Sequence, residues 1–183
     1  MVRTETPICE FNLPAIDFTL KGIDEKYYDL GSLKGPNGLL IMFICNHCPY
    51  VKSIINRIIR DTKELKHFGI NSVGIMSNDP NEYEEDSFEN MKKISLEHDF
   101  PFPYLIDETQ EVAKAYRAVC TPDFFGYNNS LGLQYRGRLD ESRKESVDGA
   151  KRELFNAMRE ISITGKGPSN QIPSMGCSIK WFK

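Results

Sequence analysis

The apolar run from Leu39 to Ile44 opens directly into Cys45-Asn46-His47-Cys48-Pro49, and a helical pattern begins at once. In that pattern Val51, Ile54, Ile55, Ile58 and Ile59 fall on one face. A strand that ends in two cysteines two residues apart and turns into a helix is the arrangement of a dithiol redox site. The helix N-terminus favours a thiolate, the reactive form of cysteine. One thiol can attack a disulfide while the other resolves the mixed disulfide that results. Cys45, at the strand end, is expected to attack, and Cys48, one turn in, to resolve. His47 sits between them, where an imidazolium would lower the thiol pKa and make the couple more oxidising.

Other chemistry fits less well. A four-cysteine zinc site wants a second close pair. The remaining cysteines, Cys9, Cys120 and Cys177, are single and dispersed, as are His67 and His98. Five scattered cysteines do not make a secreted disulfide framework. A reducing compartment, the cytoplasm, is therefore expected. The 23 basic and 26 acidic residues leave a mild negative charge, which argues against a nucleic-acid partner. No run of about 18 apolar residues suggests a membrane span. The first residues lack the apolar core of a signal peptide.

At 183 residues the chain is expected to be a single domain with an N-terminal extension over 1–36 and an irregular tail over 165–183. Ala15–Leu20 and Tyr27–Leu30 read as a hairpin. A strand over 39–44 and a helix to about His67 follow, then a strand over 71–76. Asp79-Pro80 reads as the start of an acidic helix. Further expectations are a strand over 103–106, a helix over 109–118, a hairpin around Asn128-Asn129-Ser130 and a helix from about Ser146 to Ile161. This alternation predicts an α/β protein with a central mixed β-sheet flanked by helices, in the order of a thioredoxin-like fold with an N-terminal β-hairpin extension.

Thr121-Pro122 precedes the aromatic strand Phe124-Phe125. In such a fold a cis proline here faces the cysteine pair and presents backbone to a substrate, so Thr121 and Pro122 are the expected substrate-binding residues. Cys120 is expected to be buried and inert, and Cys9 incidental. Cys177, within Gly176-Cys177-Ser178-Ile179-Lys180-Trp181, could approach Cys45 if the tail docks, as an extra redox thiol.

The chain resembles the thioredoxin-like, peroxiredoxin-related redoxins of the AhpC/TSA type. The resemblance rests on Phe43–Val51, on Ser77-Asn78-Asp79 with Glu85-Asp86-Ser87 and Met91, on Thr121-Pro122-Asp123, on Tyr135–Asp140 and on Gly176–Trp181. It implies thiol-based redox activity. A peroxiredoxin loop would carry Thr or Ser where Met42 stands and Pro where Gly38 stands. A typical thioredoxin would carry Trp at Ile44 and a buried acid at Leu39. Copper-binding redoxins of this fold space their cysteines by three residues and are usually membrane-anchored. The expected function is a thiol–disulfide oxidoreductase with no cofactor or metal. Its partners would be protein or small-molecule disulfides and a thiol reductant or oxidant, with no nucleic acid and no membrane. The alternative is a thiol-dependent peroxidase, and the third reading a metal-binding or redox-inactive interaction module.

Overall fold

The computed structural model describes residues 3–183, so positions 1 and 2 of the N-terminal extension lie outside the described residues. β1 (Arg3–Glu5) precedes a hairpin of β2 (Leu20–Gly22) and β3 (Tyr27–Tyr28), shorter than its alternation predicts. A one-turn helix α1 (Leu30–Leu33) follows, closed by Asp29 and Ser32 in a reciprocal cap. β4 (Gly38–Phe43) leads through the cysteine pair into α2 (Pro49–Lys52) and α3 (Ile55–Lys66). Then come β5 (Ile70–Met76), α4 (Phe88–His98), β6 (Tyr104–Ile106) and α5 (Glu111–Ala115). β7 (Cys120–Thr121), β8 (Asp123–Asn128), β9 (Leu133–Tyr135), α6 (Glu153–Thr164) and β10 (Met175–Ser178) complete the chain.

Strands β3-β2-β6-β5 form one ladder and β4-β8-β9 another. β4 lies beside β5, and Ile44 N–H donates to Ile75 O at 3.1 Å just past its end. The result is a central mixed sheet, parallel between β5 and β6 and antiparallel in its other ladders, as expected of a thioredoxin-like fold. Side chains of β4 alternate between two buried clusters. Leu40, Met42 and Ile44 pack with Ile58, Leu65, Leu154 and Met158 of α3 and α6. Leu39, Ile41 and Phe43 pack with Leu30, Leu33, Ala113 and Tyr116 on the other face. Burial on both faces is why this strand reads as an unbroken apolar run. Each such side chain contributes roughly 1.5–3 kcal/mol. No helix among the described residues is long and apolar enough to cross a membrane.

Four local expectations differ. The helix after Cys48 breaks between α2 and α3: Ser53 Oγ donates to the Tyr50 and Arg143 carbonyls, and Ile54 (φ −118°, ψ 0°) leaves the helical region. Asp79-Pro80 does not start a helix. Asp79 Oδ1 accepts from Asn81 N at 2.9 Å and Nδ2 at 2.8 Å in a local turn, and α4 begins only after its Ser87 cap. α6 starts later than Ser146, because Arg57 pins Asp140, Ser142 and the Val147 carbonyl as a loop. The tail over 165–183 is not wholly irregular, because β10 forms the centre of a second antiparallel sheet, β1-β10-β7.

Candidate active site

Cys45 follows the end of β4, and Cys48 is the residue that caps α2, with Pro49 at the first helical position. Pro at that position costs nothing, because its missing N–H would be unpaired anyway. Thr121 and Pro122 arrive from β7 and are joined by a cis peptide bond. Thr121 touches both cysteines: its Oγ1 lies 3.1 Å from Cys45 Sγ, and its carbonyl oxygen 3.2 Å from Cys48 Sγ. β8 continues directly from Pro122 and pairs with β4, so the two halves of the site share one ladder.

On the Cys45 side stands a carboxylate that the sequence pattern does not single out. Asp86 has no solvent exposure, and every acceptor position is filled. Oδ1 accepts from Asn46 N at 2.7 Å and His47 N at 3.2 Å. Oδ2 meets His47 Nδ1 at 2.5 Å and accepts from Asn78 Nδ2 at 2.9 Å. Asn46 also donates to the Glu85 carbonyl at 2.8 Å and accepts from Tyr104 Oη at 2.9 Å. The loop between the cysteines is thus bolted to the segment 77–87.

His47 is buried, its ring stacked on Tyr83 with centroids 3.8 Å apart. Its Nδ1 lies 3.7 Å from Cys45 Sγ, a long contact beside the short one to Asp86. Donor atoms of Cys45, His47 and Asp86 fall within 4.8 Å of one another, a spacing compatible with a metal ion. The Asp86 oxygens are already committed to four protein donors, which makes the group a hydrogen-bonded brace.

On the Cys48 side stands Cys177. Their sulfurs are 2.9 Å apart. The expectation for a docked tail is an approach to Cys45; β10 instead brings Cys177 to the other cysteine. β10 is fixed on both edges, with Cys177 opposite Thr121 on one side and Arg3 on the other. Residues of the C-terminal and 77–79 matches bond to one another: Lys180 N donates to Asn78 Oδ1 at 2.9 Å, and Asp79 N to Lys180 O at 2.8 Å.

The two walls give the thiols opposite acidities. Burial pushes Cys45 well above the usual thiol range, and hydrogen bonding with Cys48 and the Asp86 charge add to the rise. Hydrogen bonds from Cys177 and then Cys45 hold Cys48 well below it. Cys177 is raised by its hydrogen bond with Cys48 and by burial. The Thr121 carbonyl, which accepts from Cys48, favours its thiol form and opposes that shift. Cys45 is thus pushed toward its neutral form and Cys48 toward its thiolate, the opposite direction to the helix-terminus argument. Access runs the other way. Cys45 lines a cavity of about 210 Å³ with Val51, Ile55, Phe100 and Tyr104, and Cys48 does not.

The remaining cysteines stand apart from this chemistry. Cys120 is buried and its thiol is pushed up by desolvation. Cys9 is half-buried and is raised to about 11 by the same cause. Of the expected site residues, Cys45, Cys48, His47, Thr121 and Cys177 converge through direct contacts, and Pro122 is held beside them by the cis bond. The Glu85-Asp86-Ser87 match marks the segment without giving Asp86 a role, and nothing in composition marks which acid of Glu84-Glu85-Asp86 turns inward.

The AhpC/TSA family profile matches residues 12–142. No curated protein matches the chain. The crystal structure of an uncharacterized conserved protein from Geobacillus kaustophilus is 42% identical, with a TM-score of 0.93, and the alignment covers 100% of this chain and 97% of that one. A hypothetical protein from Sinorhizobium meliloti is 33% identical, with a TM-score of 0.91 and 98% of each chain covered. The peroxidoxin BcpB from Mycobacterium tuberculosis is 13% identical, with a TM-score of 0.62 over 86% of this chain and 97% of that one, a likeness of fold alone.

Proposed function

The chain belongs to the AhpC/TSA family of thioredoxin-like redoxins, and from that premise we propose that it is a thiol–disulfide oxidoreductase working through Cys45 and Cys48. The observation that carries this reading is the placement of both sulfurs on Thr121, at 3.1 Å from its hydroxyl and 3.2 Å from its carbonyl, beside the cis proline.

Cys45 passes its proton to the Cys48 thiolate and attacks the nearer sulfur of a substrate disulfide. The other substrate sulfur leaves as a thiolate and takes a proton from solvent. The Thr121 hydroxyl donates to the Cys45 thiolate, which lowers its pKa against the pull of burial. Cys48 then loses its proton again, and its thiolate attacks Cys45 Sγ. A Cys45–Cys48 bond forms, the Cys45–substrate disulfide breaks, and the second substrate sulfur leaves as a thiolate that takes up a proton. One disulfide has become two thiols, and one dithiol a disulfide. The apolar cavity beside Cys45 suits a disulfide flanked by an apolar side chain. A thiol reductant restores the dithiol, which suits a reducing compartment such as the cytoplasm.

Peroxidase chemistry needs donors aimed at the peroxide oxygens. Met42 offers no hydroxyl at the position where a peroxiredoxin loop would carry one. The deciding experiment compares reduction of an insulin-type disulfide with consumption of hydrogen peroxide by the same purified protein. Faster disulfide reduction that requires both Cys45 and Cys48 is expected. Rapid peroxide turnover that survives Cys48→Ser would replace this reading with a peroxidase.

A further inference from the structure

We propose that Cys177 is a third redox thiol, which exchanges with Cys48 and moves the disulfide from Cys45–Cys48 to Cys48–Cys177. The inference rests on Cys45 and Cys48 forming a dithiol–disulfide couple.

Three observations carry it. The Cys48 and Cys177 sulfurs are 2.9 Å apart, where a disulfide bond needs about 2.05 Å. Cys177 is also held there by main chain. β10 pairs with β7 and β1, Ser174 Oγ donates to the Pro122 carbonyl at 2.8 Å, and Ile179 N donates to Val119 O at 3.2 Å. Gly176 makes the approach possible, because a Cβ there would overlap the Thr121 carbonyl. Finally, the two ends of the cluster differ in access: Cys45 lines the apolar cavity, and neither Cys48 nor Cys177 does.

The step balances without an added oxidant. Cys177 gives up its proton and its thiolate attacks Cys48 Sγ. A Cys48–Cys177 bond forms, the Cys45–Cys48 bond breaks, and Cys45 leaves as a thiolate that takes up a proton. The protein stays oxidised by two electrons throughout. Cys45 is restored as a thiol in the cavity while the disulfide waits behind it. A dithiol reductant of the thioredoxin class would then have Cys48–Cys177 as its target. Cys48 is the hub, because its sulfur lies 2.9 Å from that of Cys177 and it is the partner of Cys45 across two residues of chain.

The test is peptide mapping of the full chain after oxidation by diamide and blocking of residual thiols with N-ethylmaleimide. Cys45 and Cys48 fall in one tryptic peptide and Cys177 in another, so the two disulfides are read separately. The wild type should give both the closed Cys45–Cys48 peptide and the cross-linked peptide carrying Cys177. Cys45→Ser should give only the cross-link, and Cys177→Ser only the closed peptide, with circular dichroism confirming the fold of each. A folded Cys45→Ser protein in which Cys48 and Cys177 both stay alkylatable, under conditions that fully oxidise the wild type, removes the relay alone. A folded Cys177→Ser protein that forms no Cys45–Cys48 disulfide removes the couple itself, and the relay with it. The wild-type cross-link needs no substitution, so its absence counts against the relay even if a variant misfolds.

Discussion

Cys45 and Cys48 are neighbours in the chain, yet they face walls of different construction. The wall at Cys45 is a buried carboxylate, braced by two backbone amides, an imidazole and a side-chain amide. The wall at Cys48 is another sulfur, set on a strand, with a carbonyl beside it. A negative charge in a dry site pushes a thiol toward its neutral form, whereas thiol donors hold a thiolate. The same residue type therefore acquires opposite acidity within one turn of chain. What separates the roles is which distant segment reaches each sulfur, 77–87 for one and 174–180 for the other.

The strongest blow to this contrast is the removal of its hub. Cys48→Ser should abolish disulfide turnover and leave a mixed disulfide on Cys45, visible as an added mass after reaction with substrate. It should also erase the ultraviolet absorbance of a thiolate at neutral pH, which Cys45→Ser should preserve. The reverse pattern would exchange the two assignments.

Next comes the carboxylate wall. Asp86→Ala leaves the Asn46 and His47 amides and the Asn78 side chain unpaired, at about 1–3 kcal/mol each, so the melting temperature should fall sharply. Asp86→Asn keeps the shape and removes the charge, and should cost less. Because that charge raises the Cys45 pKa, its loss must lower it. At a fixed pH below that pKa, the thiolate fraction and the alkylation rate of Cys45 then rise, about tenfold for a pKa lower by one. A profile that stays put or moves to higher pH would detach Asp86 from the acidity of Cys45.

The sulfur wall can be pushed back without touching a sulfur. In Gly176→Ala the new methyl meets the Thr121 carbonyl, a main-chain atom that cannot swing aside. A cost of about 1–3 kcal/mol is expected in denaturant unfolding of the reduced protein. The Cys48–Cys177 cross-link should suffer more than the Cys45–Cys48 disulfide; equal losses would mean that the strand does not set the difference.

The smallest effect belongs to His47. His47→Ala takes one donor from Asp86 and leaves its charge less compensated beside Cys45. A thiolate in the site loses support, the dithiol form is disfavoured, and the couple becomes more reducing, by on the order of 30 mV, or about 1.4 kcal/mol. Equilibration with a glutathione buffer measures it, and an unchanged potential would make His47 a packing residue.

Some of this was legible in the chain. The run 39–44 reads as a doubly buried strand because its alternate residues serve two cores. The cysteine pair, the helix after it and Thr121-Pro122 follow from local chemistry, since strand, turn and cap preferences act over a few residues. The helix break at Ile54, the turn at Asp79 and the late start of α6 were not legible. Ser53 reaching the Arg143 carbonyl and Arg57 reaching the loop 140–147 set the first and last, and at Asp79 a local side-chain turn joined by main chain to Lys180 displaces the helix start.

For the site the division is sharper. The sequence alone determined that two thiols stand at the mouth of a helix, with a histidine between them and a proline turn to meet them, because these depend on spacing along the chain. It could not determine in which direction each thiol's acidity is pushed. That depends on Asp86 and Cys177, lying 38 and 129 residues from Cys48, and only the folding of β10 and the 77–87 segment onto the sheet brings their fields within a few ångströms of the sulfurs. Electrostatic and hydrogen-bond effects fall off over such distances in space, regardless of separation along the chain.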